Sequence, residues 1–341
     1  VEGINKRFGH KPPELDRELF LELLDYVRRW CRDYLVPLEP ETSFDFEEWL
    51  LTTHYPEWRR DELREAYREL PELALSKEGR RRICRVQSFI KDENYPTWKH
   101  LRPINSRTDH FKCLVGPAFR KIEKVIFRDA SFIKKVPRDQ WPEFILQHLD
   151  GDGKIYASDY TSYEALFEEL LDIELEVYKH MLQYCPKQLE KVLLIDRTNE
   201  FYFKHVKGSV WRKRMSGEMN TSLGNGLATH LAVRFIIDKI YGKEVKILQE
   251  GDDTLFLSPG PVDESWFTRL GLEVKLETVE QLNLGQFCQL LFDPVDKVVI
   301  RDPVQYLVGF SWAPVNYMGT NRHDKKLLAS KAMSCLAQYP K

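Results

Sequence analysis

Long apolar runs are missing from the 341 residues: none approaches the ~20 that a membrane span requires, and no leader pattern is visible at the N-terminus. The chain opens on Val1 rather than Met, so a fragment or a processed product is expected. A membrane anchor elsewhere in a longer parent stays open. Closely spaced cysteines are also missing. Cys31, Cys84, Cys113, Cys185, Cys288 and Cys335 are scattered, which argues against a zinc knuckle and suits buried thiols in a reducing compartment. There are no repeats and no low-complexity tracts. The run DGDG at Asp150–Gly153 hints at a calcium loop, but the twelfth position from Asp150 is Thr161 and not the required glutamate.

A large net charge is absent too, at −2 overall, but the distribution is uneven. Arg59 to Arg138 holds 21 Lys/Arg against 11 Asp/Glu, a net +10, and the remainder holds 30 against 42, a net −12. A basic segment ahead of an acidic body points to a polyanionic partner on one side. At 43% hydrophobic and 12% aromatic the chain can build a large core with two or three subdomains.

Periodicity outlines the elements. Leu15, Leu19, Phe20, Leu23, Leu24, Val27 and Trp30 recur at helical spacing after Pro12 and Pro13. Residues 43–75 read as short helices separated by Pro56 and Pro71, 80–90 as extended and 116–127 as helical. Lys154 to Tyr160 reads as a strand and Glu164 to Leu182 as a long helix capped by Ser162. Phe201 to Trp211 reads as paired short strands, and Gly226 to Tyr241 as a helix. Apolar strands 245–249 and 254–258 flank EGDD, a hairpin with Asp252 and Asp253 at its tip. Residues 263–270 read as a helix and 273–276 as a strand. A second hairpin surrounds DPVD, with strands over 287–292 and 297–301. Strands and helices mix without regular βαβ alternation, which predicts an α+β fold.

Adjacent carboxylates repel each other by roughly 4 kcal/mol at ~4 Å and an effective dielectric of ~20. A solvated turn tolerates that, and so does a bound cation. Asp159 lies at a strand end, the doublet lies at a hairpin tip, and SGEMNTSLGN (Ser216–Asn225) lies between them in sequence. Strand and hairpin as neighbours in one sheet would bring the three acids together. Hard oxygen donors suit Mg²⁺, with Mn²⁺ as a substitute, and two such ions can clamp an in-line phosphoryl transfer.

In this order SDYTSYE, MSGEMNTSLGN and EGDD resemble motifs A, B and C of the RNA-dependent RNA polymerases of positive-strand RNA viruses, in the tombusvirus-like group. SFIKDENYPTWKHLRPINSR (Ser88–Arg107) is similar to that family's basic fingers segment, and FCQLLFDPVDKVVIRDP (Phe287–Pro303) to its palm–thumb hairpin. The similarity covers about Asp45 to Pro303. It implies a right hand with an antiparallel palm sheet flanked by helices. Residues 1–153 would be N-terminal helices and fingers, 154–182 and 215–284 the palm, 183–214 a fingers insertion, and 285–341 the palm–thumb hairpin with a short or truncated thumb. It also implies template-directed RNA synthesis, with RNA template and product and nucleoside triphosphates as partners. A membrane-anchoring replication protein or domain, and host cytoplasm at membrane-associated replication sites, are further implications.

The resemblance makes Asp159 and Asp252 the main metal ligands and Asp253 a weaker one. It gives Lys91, Lys99, Arg102 and Arg107 to the triphosphate and template, since arginine's planar fork suits phosphate, with Glu93 orienting a neighbouring cation. Ser216, Gly217, Thr221 and Asn225 form motif B, where glycine admits a close approach and Asn225 can bond a ribose 2′-hydroxyl. Glu164 and Glu218 stand where relatives commonly carry aspartate. Lys275 is the candidate general acid for pyrophosphate. A reverse transcriptase would place an aromatic residue at Glu164, and Tyr163 is one residue away. A non-catalytic RNA-binding replication protein would keep the palm and the basic segment without turnover.

Overall fold

The computed structural model describes residues 1–93, 97–279, 286–288, 290–293, 295–310, 312–313 and 321–339. Helices α1 (Glu2–Phe8), α2 (Arg17–Tyr34), α3 (Phe46–Leu51), α4 (Glu57–Leu75) and α5 (Lys77–Ile83) come first. Strands β1 (Val86–Ile90) and β2 (Pro103–Arg107) and helices α6 (Asp109–Ile126) and α7 (Trp141–His148) follow. Strand β3 (Lys154–Tyr160) feeds helix α8 (Tyr163–Met181), and α9 (Pro186–Val192) precedes β4 (Thr198–Phe203) and β5 (Val206–Trp211). Then come α10 (Thr221–Tyr241), β6 (Lys246–Glu250), β7 (Asp253–Ser258), α11 (Ser265–Arg269) and β8 (Val274–Val279). Strands β9 (Gln286–Phe287), β10 (Leu290–Asp293) and β11 (Val298–Arg301) and helices α12 (Pro303–Phe310) and α13 (Asn321–Gln338) complete the order. The fold is α+β, as expected. Residues 94–96 of the basic segment, 280–285 after β8, and 289 and 294 of the second hairpin lie outside the described residues.

Three sheets form, ordered β2-β1-β4-β5, β6-β7-β3-β8 and β11-β10-β9. All described strand pairs are antiparallel except β1 with β4. Strands β6 and β7 are buried on both faces, which explains why Ile247–Leu248 and Leu255–Leu257 read as unbroken apolar runs. Alternate residues go to opposite sides. Tyr156, Ile247 and Phe256 join the large helical core, while Leu248, Leu255 and Leu257 join a second cluster with Ile145, Leu149, Phe287 and Phe292. Helices α2, α4, α6, α8 and α10 supply most of the first core.

Several expectations need correction. Residues 80–90 are not wholly extended: Ser76 Oγ accepts from Gly79 N at 2.9 Å and starts α5, and the strand begins only at Val86. Pro71 does not end a helix but sits inside α4, where Leu70 is buried on the core. Ser162 adopts left-handed dihedrals (φ 49°) and makes no side-chain cap to α8. Helix α10 starts at Thr221, inside the small-residue run, five residues earlier than its periodicity indicates. No described helix is long and apolar enough to cross a membrane.

Candidate active site

Strand β3 lies between β7 and β8. The β3–β7 register runs up to Ser158 opposite Thr254, so the next residues, Asp159 and Asp253, emerge side by side at the same end of the sheet. Across the other edge of β3, Asp159 faces Lys275 directly. Gly251, at φ 62°, turns the β6–β7 hairpin so that Asp252 stands at the tip. Neighbouring strands are ~5 Å apart, so the three acids, remote along the chain, share one sheet end.

Their electrostatics fit that placement. All three are open to solvent, yet the protein around the hairpin tip crowds the doublet. Asp253 is pushed up to about 6, chiefly by desolvation, then by the charges of Asp252 and Asp159. Asp252 is also raised, mainly by desolvation and further by Glu164, with Arg102 pulling the other way. Thus Glu164 and Arg102 lie within the field of Asp252. Asn225, on the first turns of α10, turns its Nδ2 toward Asp252 Oδ1 at 3.4 Å, while its buried Oδ1 has no partner among the described residues.

Whether these groups fit a divalent cation can be tested on donors and placement. Among the described residues, no three His, Cys, Asp or Glu side chains already stand close enough to hold an ion. The donors are hard carboxylate oxygens, and the mutual repulsion at Asp253 is what a cation relieves. Mg²⁺ needs only one or two protein carboxylates beside water and phosphate oxygens. The set therefore fits Mg²⁺ by donor chemistry, without a preformed cage among the described residues.

The basic residues divide. Glu93 bonds Lys91 at 2.6 Å and Arg102 at 3.5 Å, and Lys91 N donates to Arg102 O at 2.8 Å, which holds two of the predicted cations together. Lys99 is exposed nearby on the same segment. Arg107 does not belong with them. It is buried, donating to Glu218 Oε1 (2.6 Å), Cys84 O (2.7 Å) and Asn199 Oδ1 (2.6 Å), so its fork is committed to the interior.

The motif B loop packs against β2. Ser216 Oγ donates to Pro103 O at 3.2 Å, and a Cβ on Gly217 would lie 2.9 Å from Asn105 O. The close approach at Gly217 is thus to a strand of the same chain. Thr221 Oγ1 donates to Glu218 O at 2.8 Å and stays within the loop. Lys275 is exposed and pairs with Glu277 at 2.6 Å, which raises its pKa, with Asp159 adding to the effect. Tyr163 is buried, with its hydroxyl 2.7 Å from Thr229 Oγ1, whereas Glu164 beside it is partly exposed.

A buried charge network escaped the sequence reading. Arg214 is ion-paired with Glu174 on α8 and lies 3.6 Å from Glu218, and Asn220 Nδ2 and Tyr178 Oη both donate to Glu174 Oε1 at 2.5 Å. Beside it Arg212 reaches Asp172 at 2.5 Å, and Lys213 Nζ donates to Ala165 O at 2.6 Å. The signal was there: Arg212-Lys213-Arg214 just before the small-residue run, and acids on the helix it crosses.

An antiparallel hairpin carrying two acids at its tip thus stands beside a third acid at a strand-to-helix junction, a set of hard oxygen donors. Comparison with known proteins makes this specific. Residues 166–313 match the model of a family described as viral RNA dependent RNA polymerase. That match begins just after Asp159 and Glu164 and includes motif B and the acidic doublet. The chain is 31% identical to an RNA-directed RNA polymerase of Panicum mosaic virus, over 40% of this chain and 15% of that protein. It is 24% identical to that of Melon necrotic spot virus (72% and 34%) and 25% identical to that of Maize chlorotic mottle virus (64% and 26%). The chain thus spans about a third or less of the curated relatives it matches. Over residues 166–313 the chain is similar to viral RNA-dependent RNA polymerases, in line with the resemblance of its motifs.

Proposed function

We propose that the chain carries the catalytic centre of a viral RNA-dependent RNA polymerase that copies an RNA template from nucleoside triphosphates. The observation that carries this reading is the sheet order β6-β7-β3-β8, with Asp159 next in register to Asp253. In the right-hand reading this sheet with α8 and α10 is the palm, over 154–182 and 215–284. Residues 1–153 are N-terminal helices and fingers and 183–214 a fingers insertion, an assignment supported by β4 lying beside β1. Residues 285–341 open the thumb.

Mg²⁺ or Mn²⁺ held by Asp159 and Asp252, with Asp253 as a weaker ligand, would neutralise phosphate charge and align the displacement. The protein's own groups do the rest by positioning. Lys91, Lys99 and Arg102 receive the triphosphate. The unpartnered Oδ1 of Asn225 and the carboxylate of Glu164 accept from ribose hydroxyls. A site built on those bonds leaves buried polar atoms unpaired when the 2′-hydroxyl is missing. Lys275, on the strand beside Asp159, supplies a proton to departing pyrophosphate.

Tyr163 being buried and bonded to Thr229 counts against a deoxyribonucleotide gate at the Glu164 position. Extension of a primed RNA template tests the proposal. The purified chain is expected to incorporate ribonucleotides only with divalent metal, and Asp252→Ala to abolish synthesis while retaining salt-sensitive RNA binding. Preference for deoxyribonucleotides, or RNA binding with no extension by the parent chain, would contradict it.

A further inference from the structure

Helix α1 is seven residues long, too short to persist alone in water, and what holds it is distant in sequence. Phe8 is buried against Phe201, ring centroids 5.3 Å apart, in a small cluster with Val86 of β1 and Met215, the residue before Ser216. At the other end Gly3 approaches the basic segment so closely that a Cβ would lie 2.4 Å from Leu101 O, and Glu2 faces His100 at 3.8 Å. Helix α1 therefore spans from the basic segment to the β1–β4 sheet. From its last turn Arg7 Nη1 donates to Glu164 Oε2 at 3.0 Å, with both side chains largely shielded from water. The Glu164 main chain is held as well: its carbonyl accepts from Arg214 N at 3.2 Å.

A glutamate has one more rotatable bond than an aspartate, and an unheld carboxylate on that stem samples several orientations. The Arg7 bond fixes Oε2 and leaves Oε1 to act. Resting on the polymerase reading above, we propose that Arg7 is the positioning residue for ribose recognition. It holds the longer acid Glu164 in the one orientation that accepts from the ribose of an incoming ribonucleotide. Helix α1 makes that orientation depend on how the basic segment is seated.

The test measures single-nucleotide extension by the full chain with a ribonucleoside triphosphate and its 2′-deoxy counterpart, separating KM from kcat. Arg7→Gln is expected to lower ribo-over-deoxy discrimination about tenfold, the scale of one charge-assisted hydrogen bond, chiefly through a higher KM for the ribonucleotide. Arg7→Lys should restore part of it. Arg7→Gln with Glu164→Gln should lose little more than Glu164→Gln alone. Gly3→Ala, which keeps Arg7 but pushes α1 off Leu101, should lower the same ratio. An unchanged ratio in Arg7→Gln, whatever happens to kcat or melting temperature, overturns the inference while the polymerase reading stands. So does a higher ribonucleotide rate, which would make Arg7 a block. A parent chain that never extends defeats the polymerase reading instead. Thermal-shift titration with the two nucleotides then decides on Arg7, and equal shifts with parent and Arg7→Gln overturn it.

Discussion

Two of the three acids at the sheet end stand beside a polar or cationic neighbour. Asp252 has the amide of Asn225 and the field of Arg102, and Asp159 has Lys275 across the strand. These residues were legible in the sequence because each sits in a short local pattern whose spacing survives without knowledge of the fold. Arg107 was misassigned for the same reason: its motif is local, but its partners Glu218 and Asn199 lie 111 and 92 residues away. The Arg214–Glu174 pair was invisible on the same grounds. Both side chains are essentially inaccessible to water, so removing one partner strands a buried charge. Arg214→Met is expected to cost about 3–5 kcal/mol in urea unfolding. The double variant Arg214→Met/Glu174→Leu should recover a substantial part, because the stranded charge is gone. A single-variant loss below about 1 kcal/mol would show that the network carries little stability.

At the level of elements, patterns with a strong apolar period were read well and those held by caps or charge were not. Helix α2 buries six of the seven residues its spacing marked, Leu19, Phe20, Leu23, Leu24, Val27 and Trp30, while Leu15 lies ahead of the helix and is half-buried. The β6–β7 hairpin follows its two apolar runs because both faces of the sheet meet a core. Helix α5 buries only Gly79 and Ile83, so no apolar stripe announces it, and the Ser76 cap carries much of its definition. Ser76→Ala should therefore destabilise by about 1 kcal/mol. The effect should be concentrated as faster amide hydrogen exchange across Lys77–Ile83. Uniform loss of protection over the whole chain would contradict a local role.

For the molecule as a whole, two histidines link stability to pH. His230 is fully buried between the Trp30 and Phe132 rings, and its Nε2 accepts from Arg234 Nε at 2.8 Å. Desolvation, then the Arg234 charge, push its pKa down to about 3, with His148 adding to the shift and Asp129 opposing it. His148 is also lowered by desolvation, against its bond to Ile247 O. A folded-state pKa below the unfolded value of ~6.5 means the unfolded chain binds the extra proton. Stability is then full above that pH and falls below it, by up to about 1.4 kcal/mol per pH unit for each histidine. Urea melts at pH 7.5 and 5.5 should show the loss, and His230→Asn should flatten the slope. A pH-independent midpoint would contradict the assignment.

The uneven charge is also a property of the whole chain. The +10 stretch from Arg59 to Arg138 includes the basic segment beside the acids, so RNA affinity should fall steeply with added salt. The central claim, however, is narrower: Asp159 and Asp252, 93 positions apart in the chain, serve one divalent-cation site. Titration of Mn²⁺ by electron paramagnetic resonance, in the presence of a nucleoside triphosphate, tests it most directly. Parent chain should bind more Mn²⁺ than the nucleotide alone accounts for, and either Asp159→Asn or Asp252→Asn should remove that excess. Excess Mn²⁺ binding that survives both substitutions would contradict the shared site.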